Sequence, residues 1–589
     1  MGKTLLTKWG KKIDPEHVLE DYPRPGMKRD SYICLNGFWD YAITKTAGFP
    51  EQYDGRILVP FSPEAVLSGV NRMLAPGMFL HYRLLFQAEK TEDGKRLILH
   101  FGAVDQSCEV YLNGCRLGEH TGGYWHFSFD ITEVVREGEN LLQVVVQDPS
   151  DSSYRAMGKQ SLERGGMWYT PQSGIWQTVW MEYVPERFIE QVFPEPDVDS
   201  HCLGVRVMMN DSQRTPLKIT IRLDDDVVLE ADGMTEDTCR INLPSYRLWT
   251  PEDPALYDIS IRAGEDEVSS YFAMRKISME KDSKGVNRLF LNGRPYFHNG
   301  VLDQGYFPDG LYTPPSDEAM VNDIRQMKAL GFNMLRKHAK IEPDRWYYHC
   351  DRLGMLVWQD MVNGGERSRN TLRSAAANLM PENIRLSRDE NLRVFKRESE
   401  DSRKAFAGEV KKTIRQLCIF PSIVVWTVFN EGWGEFKASP ITQMILKADP
   451  SRLIDEASGW IDQGGGDLAS IHNYFLPLIV QPNPDRCVAL SEFGGYSWHM
   501  TDRSWTDKEF GYRKYHSRTE LTWAIETLWR RDVLGNLANG LSASVYTEVS
   551  DVEDETNGLL TYDREVLKIE REKITQVNKE IMDTFEKLV

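Results

Sequence analysis

The 589-residue chain is about twice as long as the ~250–300 residues at which one hydrophobic core stops growing, so about three domains are expected. Its formal net charge of −18 makes nucleic acid and anionic membrane surfaces poor partners, because like charges repel. No apolar run reaches the ~18 residues of a membrane span, and residues 1–25 contain no apolar signal region. We therefore expect a cytoplasmic protein with no nucleic-acid or membrane partner.

The eight cysteines are scattered along the chain and form no Cys-x-x-Cys pair. They stand at positions 34, 108, 115, 202, 239, 350, 418 and 487. This spacing favours reduced, mostly buried thiols and gives no zinc site. The sequence also lacks the usual motifs of nucleotide-binding proteins, serine esterases and zinc hydrolases, so we expect neither a metal nor an organic cofactor.

Residues 1–185 have the pattern of an all-β domain. Short β-rich runs occupy 97–101, 109–112 and 141–146, and turn dipeptides such as Asn113-Gly114 separate them. Many short strands at this spacing predict a β-sandwich of the jelly-roll type.

Residues 186–282 form a second β-rich segment. Apolar and polar residues alternate at 205–208, 217–223 and 257–262, as they do in half-buried strands. A segment of this length and pattern predicts an immunoglobulin-like β-sandwich.

From residue 283 to residue 589, short apolar strands alternate with helical stretches, which predicts a (β/α)8 TIM barrel. The eight predicted strands cover 296–300, 333–336, 355–358, 423–429, 453–455, 468–471, 488–492 and 541–546. One predicted helix covers 317–330, with Ser316 as its N-cap and Gly331 after its end, and the last covers 564–588. The polar segment 363–400 is expected to form a cap, a lid or a partly mobile loop over the catalytic face.

In a TIM barrel the active site lies at the C-terminal ends of the strands. Glu431 follows the apolar fourth strand, and Glu492 ends the apolar seventh strand. A carboxylate at such a position is costly unless it is hydrogen-bonded, at the mouth or catalytic. Glycoside hydrolysis uses two carboxyl groups, one as proton donor and one as nucleophile or base. For each glutamate alone, a salt bridge on the barrel rim is the alternative.

Other strand ends carry polar and aromatic residues of the kind that bind sugars. The predicted substrate-binding residues are Asn430, Asp303, Arg336, His338, Trp358, Asp360, Trp433, His472, Asn473, Tyr474, Trp498, Tyr546 and Glu548. Arg336 is alternatively a partner that keeps a catalytic carboxylate ionised, and Trp498 is alternatively a core residue.

Several motifs resemble those of glycoside hydrolase family 2, the family of β-galactosidases, β-glucuronidases and β-mannosidases. In the first domain they are His100-Phe-Gly-Ala-Val-Asp-Gln, Val110-Tyr-Leu-Asn-Gly, His120-Thr-Gly-Gly-Tyr, Phe129-Asp-Ile-Thr and Ser173-Gly-Ile-Trp-Gln-Thr-Val-Trp. In the barrel, Phe429-Asn-Glu-Gly-Trp resembles the acid/base motif and Leu490-Ser-Glu-Phe-Gly resembles the nucleophile motif. The likeness spans almost the whole chain and implies the same three-domain order.

The resemblance implies a retaining exo-β-glycosidase that forms a covalent glycosyl-enzyme and uses no organic cofactor. It implies that Glu431 is the general acid/base, that Glu492 is the nucleophile, and that Asn430 binds the sugar 2-hydroxyl. The substrate would be a small oligosaccharide or glycoside, and a homo-oligomer is possible.

The sequence also departs from the family pattern where the sugar would be chosen. Family β-glucuronidases carry an Asn-x-Lys pair after strand eight, whereas this stretch reads Asp554-Glu-Thr-Asn-Gly, which argues against a uronic acid. Val357-Trp-Gln-Asp is similar to the β-mannosidase motif, and Tyr546 replaces the common Trp. A β-galactosidase-like activity is favoured. A β-mannoside, a β-glucuronide or an L-pentoside stays open, as does a non-catalytic carbohydrate-binding protein.

Overall fold

The computed structural model describes residues 3–91, 94–365 and 388–589. Two β-sandwiches are followed by a barrel of parallel strands, so the predicted fold class is confirmed. The boundaries predicted at residues 185 and 282 stay predictions. No helix in the described ranges is long and apolar enough to cross a membrane.

The first sandwich packs a six-stranded antiparallel sheet against a four-stranded one. The larger sheet has the spatial order Gly55–Val59, Gly37–Thr44, Phe79–Ala88, Gly138–Gln147, Ser107–Leu112 and Cys115–Thr121. The smaller has the order Tyr32–Cys34, Val179–Pro185, Lys95–Phe101 and Phe127–Asp130, and Val104–Asp105 pairs separately with Gly174–Ile175. The alternating apolar residues of both sheets form one core.

The second sandwich has a three-stranded and a four-stranded antiparallel sheet. The first contains Ile189–Asp197, Cys202–Met209 and Thr238–Asn242. The second contains Asp226–Met234, Pro216–Leu223, Tyr257–Ala263 and Asp266–Phe272. Seven strands around one apolar core match the expected immunoglobulin-like arrangement.

The barrel contains eight parallel strands among the described residues. In chain order, the first to eighth barrel strands are His298–Asp303, Met334–Lys337, Leu356–Asp360, Ile423–Asn430, Leu453–Ser458, Leu468–Asn473, Cys487–Gly494 and Leu541–Thr547. The first strand pairs with both the second and the eighth. The fifth and sixth strands end the ladder and lie side by side, so the barrel is nearly closed.

Small antiparallel strands lie next to the barrel. Ile277–Lys281, Asn287–Leu291 and Arg294–Pro295 form one sheet, and their apolar residues join the core inside the N-terminal end of the barrel. Beyond the seventh barrel strand, Tyr496–Ser497 pairs in parallel with Arg513–Lys514.

The helices of the described barrel pack around its strands. They are Asp317–Ala329, Asp344–Leu353, Glu400–Leu417, Ala438–Ala448, Arg518–Leu528 and Arg571–Leu588. Shorter helical turns are Gly10–Lys12, Val66–Ser68, Ser150–Ser152 and Leu534–Asn536, and Trp529–Val533 is a π-helix. The Ser316 side chain accepts a hydrogen bond from the Ala319 N–H, as its predicted N-cap role requires.

Two expectations about this region need correction or qualification. The last helix begins at Arg571 and not at residue 564, because Arg564 has a positive φ of 60° and its guanidinium is bound to Asp323. Residues 366–387 of the predicted cap segment 363–400 lie outside the described residues. From residue 388 the chain leads into the helix Glu400–Leu417.

Candidate active site

Different backbone features place the two candidate catalytic glutamates at the barrel mouth. Glu431 directly follows the fourth strand, has a φ of +52°, and donates its backbone N–H to the Ser458 carbonyl oxygen. Ile471 and His472 of the sixth strand pair with Leu490 and Glu492 of the seventh strand. Ser491, between these two partners, is therefore an extra residue that forms a β-bulge in the seventh strand. Such a bulge re-aims the following side chain. It therefore turns Glu492 toward the barrel interior, beside His472.

The side chains of Glu431, Glu492 and His472 meet at one point. One carboxylate oxygen of each glutamate and one ring nitrogen of His472 all lie within 4.8 Å of one another. His472 Nδ1 is 3.0 Å from Glu431 Oε1 and 3.5 Å from Glu492 Oε2. These atoms could reach a single metal ion, but the guanidinium of Arg336 lies 3.2 Å from Glu492, which disfavours a second cation there.

Arg336, on the second strand, donates hydrogen bonds to residues of the third, fourth and seventh strands. Its Nη1 donates to Glu492 Oε1 at 3.2 Å, and its Nε and Nη2 donate to the two Asp360 oxygens at 3.0 and 3.1 Å. Its Nη2 also donates to Asn430 Oδ1 at 2.8 Å. The side chain is fully buried. An arginine with this many acceptors fixes the orientation of each of them.

Glu492 is held in its ionised form. Burial raises the pKa of this carboxyl, but electrostatic interactions with His472 and Arg336 and a hydrogen bond from Tyr474 outweigh burial, so the pKa falls below its usual value. Tyr474 donates to Glu492 Oε2 at 2.6 Å and stacks on Tyr512 with ring centroids 3.7 Å apart. This combination suits a carboxylate that must act as an anion.

Asn430 has a defined amide orientation. Its oxygen accepts from Arg336, so its nitrogen faces the other way. That Nδ2 is buried and has no hydrogen-bond partner among the described residues. A buried amide N–H without an acceptor is costly, and a sugar hydroxyl would satisfy it.

A chain of side-chain contacts that begins at His338 connects Glu492 with the segment after the eighth strand. The His338 Nε2 is 3.7 Å from Glu492 Oε1, and its Nδ1 is 3.0 Å from Gln304 Oε1. Gln304 donates to Glu548 Oε2 at 2.8 Å. Burial raises the pKa of Glu548 well above its usual value, and the charge of Glu555 raises it further. The Trp433 ring lies 5.8 Å from the His338 ring.

Five other predicted substrate residues make their observed contacts with residues other than Glu431 and Glu492. Asp303 accepts from the buried Lys337 at 2.8 Å. Trp358 is fully buried in the core inside the barrel and donates to His298. Tyr546 packs edge-on against Phe493 and Trp529. Asn473 Nδ2 donates to the Leu476 carbonyl oxygen, and Trp498 packs partly buried against the main core.

Residues of the first sandwich that the sequence did not indicate also reach the barrel mouth. The loop 154–173 places Lys159, Trp168 and Tyr169 there. Trp168 lies 5.2 Å from the Trp433 ring, and Tyr169 donates to Glu555 at 2.5 Å. Because these contacts span hundreds of residues in sequence, no local pattern could have revealed them.

Sequence models of the glycosyl hydrolases family 2 sugar binding domain and of the family 2 TIM barrel domain match residues 59–185 and 287–475. The two matches together cover more than half of the chain. Glu431 lies within the second match, whereas Glu492 lies beyond its end.

Curated relatives carry several names. A β-galactosidase of Leuconostoc mesenteroides is 25% identical over 395 residues, which is 62% of this chain and 34% of the relative. A putative β-glucuronidase of Formosa agariphila is 25% identical over 300 residues, which is 48% of this chain and 34% of the relative. The chain thus spans about a third of the length of these relatives.

Solved structures share the fold at low identity. A β-glucuronidase of an uncultured Clostridium sp. has a TM-score of 0.73 at 18% identity, covering 94% of this chain and 99% of that one. A family 2 β-galacturonidase of Eisenbergiella tayi has a TM-score of 0.69 at 17% identity, covering 95% and 98%. With both family models matched in order, the chain belongs to glycoside hydrolase family 2.

Proposed function

We propose that the protein is a retaining exo-β-glycosidase in which Glu431 is the general acid/base and Glu492 is the nucleophile. The observation that carries this proposal is the approach of the two carboxylates, with one oxygen of each within 4.8 Å. Retaining enzymes hold their carboxyl groups about 5–5.5 Å apart, whereas inverting enzymes leave about 6.5–9.5 Å for a water molecule.

In the first step a Glu492 oxygen attacks the anomeric carbon, and the bond from that carbon to the leaving oxygen breaks. Glu431 gives its proton to the leaving oxygen, so the aglycone departs as a neutral alcohol. In the second step Glu431 takes a proton from water. The water oxygen bonds to the anomeric carbon, and the Glu492 carboxylate is released.

The neighbouring side chains support this division of roles. Arg336 and Tyr474 both donate to Glu492, which keeps it anionic and fixes its attacking oxygen. Glu431 accepts no hydrogen bond from an arginine among the described residues and lies 3.0 Å from His472 Nδ1, so the two carboxyl groups have different surroundings. The free N–H of Asn430 would donate to the sugar 2-hydroxyl, a bond that strengthens in the transition state.

The proposed substrate is a terminal β-galactoside. Exo action is supported by the first-sandwich loop, which closes one side of the barrel mouth through Trp168 and Tyr169. Galactose is supported by the names of several curated relatives, including the β-galactosidases of Leuconostoc mesenteroides and Photobacterium profundum. A β-glucuronide is the second candidate, because the solved structures of similar fold include β-glucuronidases.

The test is a panel of 4-nitrophenyl β-glycosides, followed by NMR of the sugar as it is first released. We expect the galactoside to be cleaved fastest and the β-anomer to appear first. A first product in the α-configuration would contradict the retaining mechanism. Treatment with a 2-deoxy-2-fluoro glycosyl fluoride should add one sugar to the protein. Attachment to a peptide that excludes Glu492 would refute the assignment.

A further inference from the structure

The first-sandwich loop is seated firmly on the barrel rim. The Met157 N–H donates to the carbonyl oxygen of Asn363, just beyond the third strand, at 2.9 Å. Gly158 has a φ of +61°, and a Cβ there would lie 2.5 Å from the Ala339 carbonyl oxygen, so only glycine fits. The Thr170 N–H donates to Glu553 beyond the eighth strand. The loop is thus held at both ends, and Lys159 between them has a fixed position.

Lys159 belongs to a buried cluster formed by the two domains. Its side chain is 5% exposed, and its Nζ donates to the Tyr169 hydroxyl at 3.2 Å. The Tyr169 hydroxyl donates to Glu555 Oε2, which lies 3.6 Å from the Lys159 Nζ. An ammonium has three N–H donors. Within the described residues one of them is assigned a hydrogen bond, so the others remain for a ligand.

This cluster faces the same space as the catalytic pair. The chain of contacts from Glu492 through His338 and Gln304 to Glu548 ends beside Glu555. Burial lowers the pKa of His338, and the charge of Lys159 is the next cause, which agrees with their proximity. Because His338, Gln304 and Glu548 lie between Glu492 and the cluster in this chain of contacts, we place the cluster against a part of the sugar away from the anomeric carbon.

The charges of the cluster favour an uncharged ligand. The ammonium of Lys159 pairs with the Glu555 carboxyl group 3.6 Å away, and the raised pKa of Glu548 favours its neutral form. A sugar carboxylate placed here would compete with Glu555 for the Lys159 ammonium, and its burial without compensation is costly. A sugar hydroxyl can accept from Lys159 and donate to Glu555 at the same time.

We infer that Lys159, Tyr169 and Glu555 form a specificity site that binds a hydroxyl of the terminal sugar and selects neutral sugars over uronic acids. This inference rests on the proposed glycosidase function and adds the chemical class of its substrate. The site is shared between domains, because Lys159 and Tyr169 come from the first sandwich and Glu555 from the barrel.

The test compares kcat/KM for two matched pairs of 4-nitrophenyl substrates, the β-galactoside with the β-galacturonide and the β-glucoside with the β-glucuronide. Each pair differs only in a hydroxymethyl against a carboxylate at C6. In the pair that the wild-type enzyme cleaves faster, we expect kcat/KM to be about 100-fold or more higher for the neutral substrate than for the uronide. Unpaired buried polar groups give discrimination of this size.

Glu555→Gln should shift that ratio toward the uronide by about tenfold or more, because it removes the nearest negative charge. Lys159→Met should lower kcat/KM for the neutral substrate by about tenfold or more, because it removes the donor to the hydroxyl. Glu509→Gln is the matched control. It removes the same charge from a partly exposed carboxylate that binds Ser497 and Lys514, so the ratio should stay within about twofold.

Thermal melting of each variant separates lost folding from lost recognition, and the ratio is independent of the folded fraction. A wild-type preference for the uronide, or a ratio that Glu555→Gln leaves unchanged, would overturn the inference while leaving the glycosidase proposal intact. A wild-type enzyme that cleaves no aryl β-glycoside would overturn both.

Discussion

The two sides of the barrel mouth are built differently. On the side of strands two, three, four, six and seven, Arg336, Tyr474 and His472 surround Glu492 with contacts of 2.6 to 3.5 Å, all from within the barrel. On the side of strands one and eight, Glu548 and Glu555 are reached by Lys159 and Tyr169 from another domain. The first side suits the invariant chemistry of bond cleavage, whereas the second can change with a loop of the first sandwich.

The largest expected effect is on the first side, where substitutions of the two glutamates should change kcat/KM in different ways. Glu492→Gln should lower kcat/KM by about 10⁴-fold or more for every leaving group, because no covalent intermediate can form. Glu431→Gln should lower kcat/KM by about 10²–10⁴-fold for substrates with a poor leaving group. For 2,4-dinitrophenyl glycosides the decrease in kcat/KM should be much smaller, since that leaving group needs no proton. Equal losses for both variants across leaving groups would contradict the assigned roles.

A smaller effect is expected for Tyr474→Phe, which removes the 2.6 Å hydrogen bond to Glu492 but leaves Arg336 in place. The bond lowers the pKa of Glu492, and the nucleophile must be ionised. The variant should therefore raise that pKa, and the acidic limb of the kcat/KM–pH profile should move to higher pH. Tyr348→Phe removes a hydroxyl from a tyrosine that packs against Tyr271 and His349, and it serves as the control. An unmoved acidic limb in Tyr474→Phe would show that Tyr474 does not act through Glu492.

The smallest effect on catalysis is expected on the second side, at Asp303. This residue binds the fully buried Lys337, which Glu342 also contacts at 2.8 Å. Asp303→Asn should lower the free energy of unfolding by about 2–3 kcal/mol, because one partner of a buried ion pair loses its charge while the other acceptor remains. Denaturant unfolding measures this loss. We expect kcat/KM to change less than about threefold, and a large rise in KM at normal stability would restore Asp303 as a sugar ligand.

The sequence by itself determined the fold class and the positions of the candidate acids. Period-two and strand–helix patterns predicted two sandwiches and a barrel, because side-chain alternation directly reports which face of an element is buried. The apolar runs before Glu431 and Glu492 placed both at the barrel mouth, since strands of one barrel end on one face. The same reasoning also favoured Trp358 and Tyr546, which end strands but point into cores.

Only the tertiary structure decided which side chains meet. The bulge at Ser491 turns Glu492 inward against the simple alternation of its strand, and a one-residue shift of this kind leaves no mark in an apolar pattern. Arg336 reaches Asp360, Asn430 and Glu492 across 24, 94 and 156 residues of sequence. Lys159 and Glu555 come from different domains. Contacts of such separation depend on packing and register, which local sequence does not encode.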